Sequence, residues 1–320
     1  MILITGGTGF IGNILIRHLS DNGHSIKLLI RPSDRSPKLP RGLPVEVAVS
    51  SLKDERGLRA AMKGVDAVFH LASAESEGRL ANLDEVDIQG TLAIARAARQ
   101  AKVNRIIYLS HLGADRASAF PLLKAKGIAE HFIRQSGIPY TIFRSAIAYG
   151  EGDHFTTNLA ALLKRSPGIV LLPEGGQTQL QPIWVEDLVT VLEWALDMAG
   201  TIDEVIEIGG PEFLSFQAIC QMIAKTIGIK RTYLTTPPIV LNILTEFLEI
   251  LEPAFPTSVF WLDYLATSRT TNLDVLPTRF DLLPAKMSQR LGYLKGKDFR
   301  KKVYRKRNPS AKTSQRKKTL

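Results

Sequence analysis

The chain opens with a glycine-rich turn that directly follows a short apolar run. Residues 1–5 are Met-Ile-Leu-Ile-Thr, residues 6–12 are Gly-Gly-Thr-Gly-Phe-Ile-Gly, and apolar side chains then recur at helical spacing. In the strand, turn and helix that this order predicts, Gly6 permits the tight turn, Gly9 lets the backbone approach a pyrophosphate, and Gly12 lets the helix pack on the strand. Free N–H groups at a helix start attract anions, so the turn predicts a dinucleotide site, and a glycine loop without a ligand is the alternative. The predicted cofactor contacts in the turn are Gly6, Thr8, Gly9, Phe10, Ile11 and Gly12.

Strand and helix patterns alternate over the first two thirds of the chain. Strand-like runs at 25–30, 45–49, 67–72, 105–110, 140–144 and 205–208 are accompanied by helical patterns at 52–63, 86–101, 117–135 and 185–198. Such alternation predicts an α/β fold with a doubly wound parallel sheet of the Rossmann type and a smaller, mainly helical C-terminal lobe. The expected units are a dinucleotide-binding domain at 1–210 with an excursion at 150–180 into the smaller lobe, a helical lobe at 211–294 and a basic tail at 295–320.

Composition places the chain among ordinary globular proteins. Its 320 residues are 45% hydrophobic, enough for a large core, and its single cysteine, Cys220, is expected in that core and in a reducing compartment. The apolar segment 238–251 contains Glu246 and Glu249, so it predicts an amphipathic helix rather than a membrane span. The N-terminus does not resemble a targeting peptide, which predicts a cytoplasmic protein. No metal site is predicted.

The net charge of +10 comes from the C-terminal end. Residues 295–320 contain twelve Lys or Arg and one acid, Asp298, whereas the other 294 residues are nearly neutral. This composition predicts a disordered basic arm that contacts an anionic membrane surface or an acidic surface of a membrane-associated protein complex, or that only solubilises the chain. Nucleic acid is disfavoured as a partner because aromatic residues are not interleaved with the basic ones.

The end of the second predicted strand indicates which dinucleotide binds. An acidic residue there would bond the ribose 2′-hydroxyl of NAD, but the residue is Arg31, whose guanidinium suits the 2′-phosphate of NADP. Arg35 and Lys38 could add positive charge, and Asp34 keeps NAD open as the alternative. Arg31 could also be a loop charge in water. The sequence favours NADP.

Several motifs together resemble the short-chain dehydrogenase/reductase superfamily in its extended and atypical branches. The glycine turn, Val68-Phe69-His70-Leu71-Ala72, Tyr108-Leu109-Ser110, Lys126-Gly127-Ile128-Ala129-Glu130, Arg144 with Tyr149-Gly150, and the stretch Pro182 to Asp187 match that superfamily over roughly residues 1–210. The resemblance implies that Leu71 and Ala72 lie beside the cofactor, that Lys126 holds its ribose and that Ser110 faces the reacting carbonyl. A surface ion pair with Glu130 is the alternative for Lys126.

The same resemblance exposes a missing residue. Active members carry a tyrosine four residues before the lysine, where it transfers the proton, but residue 122 is leucine. If Lys124 were the lysine instead, the corresponding residue would be Phe120, which also lacks an acidic proton. Losing a general acid commonly removes about 10²- to 10⁴-fold of rate. His111 and Tyr149 are the candidates for a displaced acid.

Within the atypical branch the chain is most similar to the NmrA-like group that includes the nucleotide-binding accessory subunit of respiratory complex I and its bacterial and plastid relatives. Ser110-His111-Leu112-Gly113-Ala114 and the tyrosine-less stretch before Lys126 carry this likeness. It implies a protein that holds NADP(H) in a structural, assembly or regulatory role, near a membrane. The alternatives are an oxidoreductase or epimerase with a displaced acid, and a regulator that distinguishes NADP from NADPH.

Overall fold

The computed structural model describes residues 1–32, 42–237, 239–241, 264–297 and 299, with only the backbone at 79 and 80. Strands are numbered along the chain: β1 (Ile2–Thr5), β2 (Ile26–Ile30), β3 (Val45–Val49), β4 (Ala67–His70), β5 (Arg105–His111), β6 (Tyr140–Ser145), β7 (Ala148–Tyr149), β8 (Ile169–Pro173), β9 (Gln179–Leu180), β10 (Ile183–Trp184), β11 (Glu204–Ile208), β12 (Leu214–Ser215) and β13 (Thr232–Thr236). The α-helices are α1 (Phe10–Asp21), α2 (Glu55–Ala61), α3 (Gly90–Gln100), α4 (Pro121–Arg134), α5 (Phe155–Arg165), α6 (Val185–Trp194), α7 (Phe216–Thr226), α8 (Val275–Phe280) and α9 (Met287–Arg290).

Seven strands form one parallel sheet in the order β3-β2-β1-β4-β5-β6-β11. The chain moves outward from β1 through β2 to β3 and then returns to β4 on the other side of β1, so Thr5 pairs with Leu29 on one side and with His70 on the other. Ligands of such sheets bind beyond the carboxyl ends of the strands where the order reverses. The predicted Rossmann sheet is confirmed, and its reversal lies between β1 and β4.

Helices cover both faces of the sheet because successive side chains of a strand point to opposite faces. Ile2 and Ile4 pack into a core shared with α1, α6 and α8, whereas Leu3 packs into a core shared with α2, α3 and α4. The predicted helix at 86–101 begins differently, since a π-helical turn at Asp84–Gln89 precedes α3. Such turns are frequent at functional sites.

The smaller lobe has an apolar core of its own, the second core, which is separate from the cores on the two faces of the sheet. It joins α5 and β8 to α7, α9 and the buried Cys220, which was predicted to be a core residue. Besides helices, the lobe contains a parallel pair, β8 with β13, and an antiparallel pair, β9 with β12, which the sequence patterns did not predict. β9 and β12 are only two residues long and β8 is apolar on both faces, so these three strands lack the alternation that identifies a strand.

Two predictions fall largely on residues outside the description. Of the expected helix at 238–251, residues 239–241 are helical, and the remainder lies outside the described residues, as do 300–320 of the basic tail. Phe299 is 6% exposed and packs into the second core, so the packed part of the lobe reaches at least this residue. The boundaries proposed for the domains stay predictions. In the part of the chain that is described, no helix combines the length and the hydropathy of a membrane span.

Helix α4 depends on a glycine, and this dependence can be tested. A Cβ at Gly127 would collide with the carbonyl carbon of Asp115 and lie 2.5 Å from the Arg116 nitrogen. Replacing glycine by alanine inside a helix ordinarily stabilises it by about 1 kcal/mol, but overpacking against backbone costs about 1–3 kcal/mol. We expect Gly127→Ala to lower the urea midpoint of unfolding. Gly292→Ala, where an added Cβ meets open space, is the control that should leave it unchanged, and equal midpoints for the two variants would contradict this expectation.

Candidate dinucleotide site

The turn between β1 and α1 requires glycine at its first position for two reasons. Gly6 has a φ of +73°, and an added Cβ would lie 2.6 Å from the carbonyl carbon of Leu71 and 2.7 Å from the nitrogen of Ala72. A side chain would therefore be strained by the backbone conformation and blocked by a neighbouring peptide. Three of the predicted site residues, Gly6, Leu71 and Ala72, are in contact at the reversal of the sheet.

The rest of the turn forms a cradle for an anion. The Gly9 N–H donates to the Gly6 carbonyl at 2.9 Å, and a Cβ on Gly12 would collide with that same carbonyl oxygen. Thr8 and Gly9 are exposed at the tip, and α1 begins at Phe10 with Gly9 as its N-cap residue. Glycine has no side chain to cap the helix, so the first amides and the positive end of the helix dipole face the turn. These residues fit the pyrophosphate of a dinucleotide.

A buried histidine supports the loop that faces this cradle. His70, at the end of β4, lies 2.6 Å from Thr5 Oγ1 through Nδ1 and 2.9 Å from Thr91 Oγ1 through Nε2. Thr91 donates its own proton to the Asp87 carbonyl, so we assign the Nε2–H tautomer, in which Thr5 donates to Nδ1. Burial and then the charge of Lys126 lower the pKa of His70 to about 3, so the ring is neutral. Thr5 Oγ1 in turn accepts the Ala72 N–H at 3.3 Å.

Lys126 is held by an acidic residue that the sequence analysis did not identify. Its Nζ lies 3.1 Å from Asp87 Oδ1 and both side chains are almost fully buried, while Asp87 Oδ2 accepts the Ala74 N–H at 3.0 Å. Burial alone would lower the pKa of Lys126, but the charges of Tyr108, Asp87 and Glu75 outweigh it and raise that pKa. The pair therefore ties α4 to the loop after β4. The alternative of a surface pair with Glu130 is wrong.

The sequence contains a pattern from which a buried role for Asp87 could have been predicted. Asp87 and Thr91 are one helical turn apart, and Ile94 follows on the same helix face. Two polar side chains therefore lie on a face whose apolar residues predict that it is buried. All three are buried. A carboxylate on such a face needs a partner, and Lys126 is that partner.

Leu122, which the resemblance places where active members carry a tyrosine, belongs to α4. Leu122 lies one turn before Lys126 on the same helix and is 7% exposed, and Phe120 is the N-cap residue ahead of it. A different phenol, that of Tyr108 on β5, lies beneath Lys126, whose Nζ is 5.4 Å from the ring centre. Burial raises the pKa of Tyr108 to about 12, although the charge of Lys126 opposes this shift. Tyr108, like Lys126, is buried.

Ser110 belongs to a separate buried network. Its Oγ donates to Glu130 Oε1 at 2.6 Å, and the same carboxylate accepts from Arg144 at 2.7 Å and from Arg134 at 3.1 Å. Its hydroxyl proton is thereby engaged by a carboxylate. A role for Ser110 toward a substrate stays a prediction.

The two candidate acids occupy different surroundings. His111 ends β5, is one-fifth exposed, and places Nε2 2.9 Å from Glu75 Oε2 in the turn after β4. Burial disfavours the charged form of Glu75 and by itself would raise its pKa. The positive charges of His111, Lys126 and His154 outweigh this effect and lower the pKa of Glu75 to about 2. Tyr149 is fully buried against Trp184 in the core of the smaller lobe, where burial raises the pKa of its phenol. Of the two, His111 is the one that lies among the site residues.

Arg31 lies at the carboxyl end of β2, where the sequence analysis places the group that selects the dinucleotide. Its side chain is 64% exposed, and Nη2 lies 3.5 Å from Glu77 Oε1, in the 3-10 turn that follows β4. Glu77 was not predicted at this site. Asp34, Arg35 and Lys38 lie outside the described residues.

Comparisons with known proteins support dinucleotide binding. A family model described as NAD(P)H-binding matches residues 6–163. The chain is 27% identical over 240 residues to the mitochondrial NADH dehydrogenase [ubiquinone] 1 alpha subcomplex subunit 9 of Arabidopsis thaliana, a match that covers 73% of this chain and 60% of the plant subunit. It is 23% identical to the photosystem II assembly factor Ycf39 of Synechocystis, over 92% of this chain and 89% of that protein.

The fold is shared with a solved enzyme structure. The NADPH-dependent quinone oxidoreductase QOR2 of Escherichia coli, complexed with NADPH, superposes with a TM-score of 0.74 at 20% identity, covering 92% of this chain and 99% of that one. At this identity the likeness concerns the fold. Glycine cradle, sheet order, family match and relatives agree, and the chain is therefore an NAD(P)H-binding Rossmann protein of the atypical short-chain dehydrogenase/reductase type, related to a complex I subunit and to a photosystem II assembly factor.

Proposed function

We propose that the chain binds NADP(H) and holds it without turnover, in a structural or assembly role. The observation that carries this proposal is the pairing of an intact glycine cradle with Leu122, one turn before Lys126. The first feature keeps the cofactor, and the second removes the proton donor on which the chemistry of active relatives depends. A leucine side chain has no proton to give.

The chain's own residues suit the parts of the cofactor. The turn from Gly6 to Gly12 would hold the pyrophosphate, Arg31 the 2′-phosphate and Lys126 the ribose hydroxyls. When bound, the nicotinamide supplies the capacity for hydride transfer. An ammonium has three N–H donors, so Lys126 can donate to Asp87 and still offer donors to a ribose.

The relatives' names support the assembly role. One is a subunit of a respiratory complex and the other an assembly factor for a photosystem, and the present chain spans about three fifths of the former. We propose that this protein likewise serves a membrane-associated protein complex from the cytoplasmic side, with NADP(H) stabilising its fold. A ligand that binds only the native state raises stability in proportion to the logarithm of its concentration over Kd.

A second function is favoured by one contact. The His111–Glu75 pair combines an imidazole and a carboxylate at 2.9 Å, the charge of Lys126 also acts on Glu75, and such a pair can act as a general acid. In this alternative the chain is an oxidoreductase or epimerase whose proton donor moved from α4 to the end of β5. A redox-sensing regulator is a further alternative, and it requires different affinities for NADP and NADPH.

Cofactor retention and turnover distinguish these functions. We expect mass spectrometry of the purified full chain to find NADP(H), and we expect NADPH oxidation with quinone, sugar-nucleotide or carbonyl substrates to stay at least about 100-fold below that of an enzyme with a working acid. Gly12→Ala should lose the nucleotide, and Gly292→Ala should keep it. Steady oxidation that disappears in His111→Gln would support the alternative, and a chain that binds no dinucleotide would refute both.

The choice of NADP can be tested at Arg31. Because a hydrogen bond between charged groups contributes about 1.5–3 kcal/mol, Arg31→Ala should weaken NADPH binding roughly tenfold or more and leave NADH binding unchanged. Glu77→Gln should strengthen NADPH binding, since it frees the guanidinium. The exposed Arg17→Ala on α1 is the control. Titration of each variant with both nucleotides measures the affinities. If Arg31→Ala weakens NADPH and NADH binding equally, Arg31 does not contact the 2′-phosphate.

Lys126 needs a test that separates binding from stability. Lys126→Met leaves the buried Asp87 carboxylate unpaired, and breaking a buried ion pair costs about 3–5 kcal/mol. Asp87→Asn together with Lys126→Met removes both charges and should recover most of that stability, measured by urea unfolding. If Lys126 contacts the ribose, the double variant should bind NADPH more weakly than the wild type even though its stability is restored. Wild-type affinity in the double variant would reduce Lys126 to a structural role, and Lys124→Met, exposed on the same helix, should match the wild type throughout.

A further inference from the structure

The strand pair of the smaller lobe has an apolar outer face. In the register of β8 and β13, Leu171 pairs with Leu234, and these side chains are 39% and 46% exposed, while Ile169 at the start of β8 is 50% exposed. The alternate residues Val170 and Leu172 are buried in the second core. A sheet with one solvated face ordinarily alternates apolar and polar side chains, so this outer face departs from that pattern.

Two more exposed apolar residues follow β13 in the sequence. Ile239 and Val240, in the helical turn at 239–241, are 69% and 47% exposed. We call these five residues the docking face: Ile169, Leu171, Leu234, Ile239 and Val240. Single exposed apolar residues are common, but a group of five on one small lobe indicates an interaction surface.

The two strands of this face and helices α5 and α7 carry positive charge only, and exposed Glu174 follows β8 at the end opposite Ile169. Residues 155–173 and 214–237, which contain α5, β8, α7 and β13, include five Lys or Arg and no Asp or Glu. These residues form a basic rim: Lys164, Arg165, Lys225, Lys230 and Arg231. Arg231 Nε donates to the Leu163 carbonyl at 2.7 Å, which joins the basic end of α5 to the start of β13. The rim therefore adjoins Ile169, because Thr232 pairs with Ile169 in the strand register.

The C-terminal end of the described chain lies at the same rim. Lys164 Nζ is 3.5 Å from the Lys297 carbonyl and 5.7 Å from the centre of the Phe299 ring. Residues 300–320, which follow, contain ten Lys or Arg and no acid. The most basic part of the sequence is thus attached beside the rim.

We propose that the docking face and the basic rim bind the surface of an anionic lipid bilayer. Exposed Ile, Leu and Val side chains insert among the lipid chains, and the rim lies over the lipid phosphates. A bilayer fits these observations better than a protein partner does, because the rim is uniformly positive and lacks the mixed charges that fix a protein's orientation. The inference goes beyond the proposed function and does not depend on it, since the surface contains none of the proposed cofactor contacts.

Sedimentation with vesicles tests the proposal on the full chain. The wild type should bind vesicles of phosphatidylcholine with 30% phosphatidylglycerol at least about tenfold more strongly than vesicles of phosphatidylcholine alone, and rising salt should weaken the binding. Leu171→Ser with Leu234→Ser, and separately Lys225→Gln with Lys230→Gln, should each weaken it roughly tenfold. Val47→Ser with Val49→Ser is the matched control, because these residues are 48% and 64% exposed on the edge strand β3. A chain ending at Arg300 keeps Phe299 and should retain part of the preference for anionic vesicles.

Several results would overturn the proposal. These are equal binding to both kinds of vesicle, wild-type binding by the Leu171/Leu234 variant, and equal losses in that variant and in the β3 control. A large loss of thermal stability in the Leu171/Leu234 variant without a change in vesicle binding would assign the face to the chain's own residues 242–263. Retention on native membranes that protease treatment abolishes, without binding to vesicles, would assign it to a protein. Retained NADP(H), measured on the same preparations, shows separately whether the proposed function holds.

Discussion

The close approach of two backbone segments at the reversal of the sheet is the constraint on which the candidate site depends. The peptide between Leu71 and Ala72 lies where a side chain on Gly6 would otherwise stand. This contact sets the separation between the ends of β1 and β4 and directs α1 toward the gap between them. The free amides of α1 can then face a pyrophosphate, because no side chain intervenes at Gly6, Gly9 or Gly12. An added Cβ on any of these three glycines would lie 3.2 Å or less from backbone atoms.

A buried polar network keeps this geometry fixed from beneath. His70 joins β1 to α3 through two threonine hydroxyls, and Asp87 joins the loop after β4 to Lys126 on α4. Buried polar groups are costly unless they are paired, so each of these contacts specifies one arrangement of the strands and helices around the site. The same network gives Lys126 a structural role that does not depend on any chemistry at the site. Lys126 is needed to neutralise Asp87, whether or not a proton is transferred nearby.

The smaller lobe separates charge and hydrophobicity in a way that the composition of the whole chain hides. Apart from the tail, the sequence is nearly neutral, yet the stretches that contain α5, β8, α7 and β13 have five basic residues and no acidic one. Folding gathers these residues from two separate segments, at 155–173 and 214–237, because β8 and β13 pair in parallel. The candidate dinucleotide site lies in one lobe, and the basic, apolar surface lies in the other. Such an arrangement suits a protein that binds its cofactor and a membrane surface at different places.

Local rules sufficed for much of the fold and for part of the site. The alternation of apolar strands and helices determined the Rossmann sheet, and glycine spacing determined the cradle, since both depend on contacts between residues near each other in sequence. The sequence also shows directly that residue 122, four positions before Lys126, is leucine and not tyrosine. Only the tertiary structure decided that Lys126 pairs with Asp87 and not with Glu130, that Glu77 contacts Arg31, and that Leu171 and Leu234 share an exposed face. These partners are distant in sequence, and the crossovers of the chain, which sequence periodicity does not specify, bring them together.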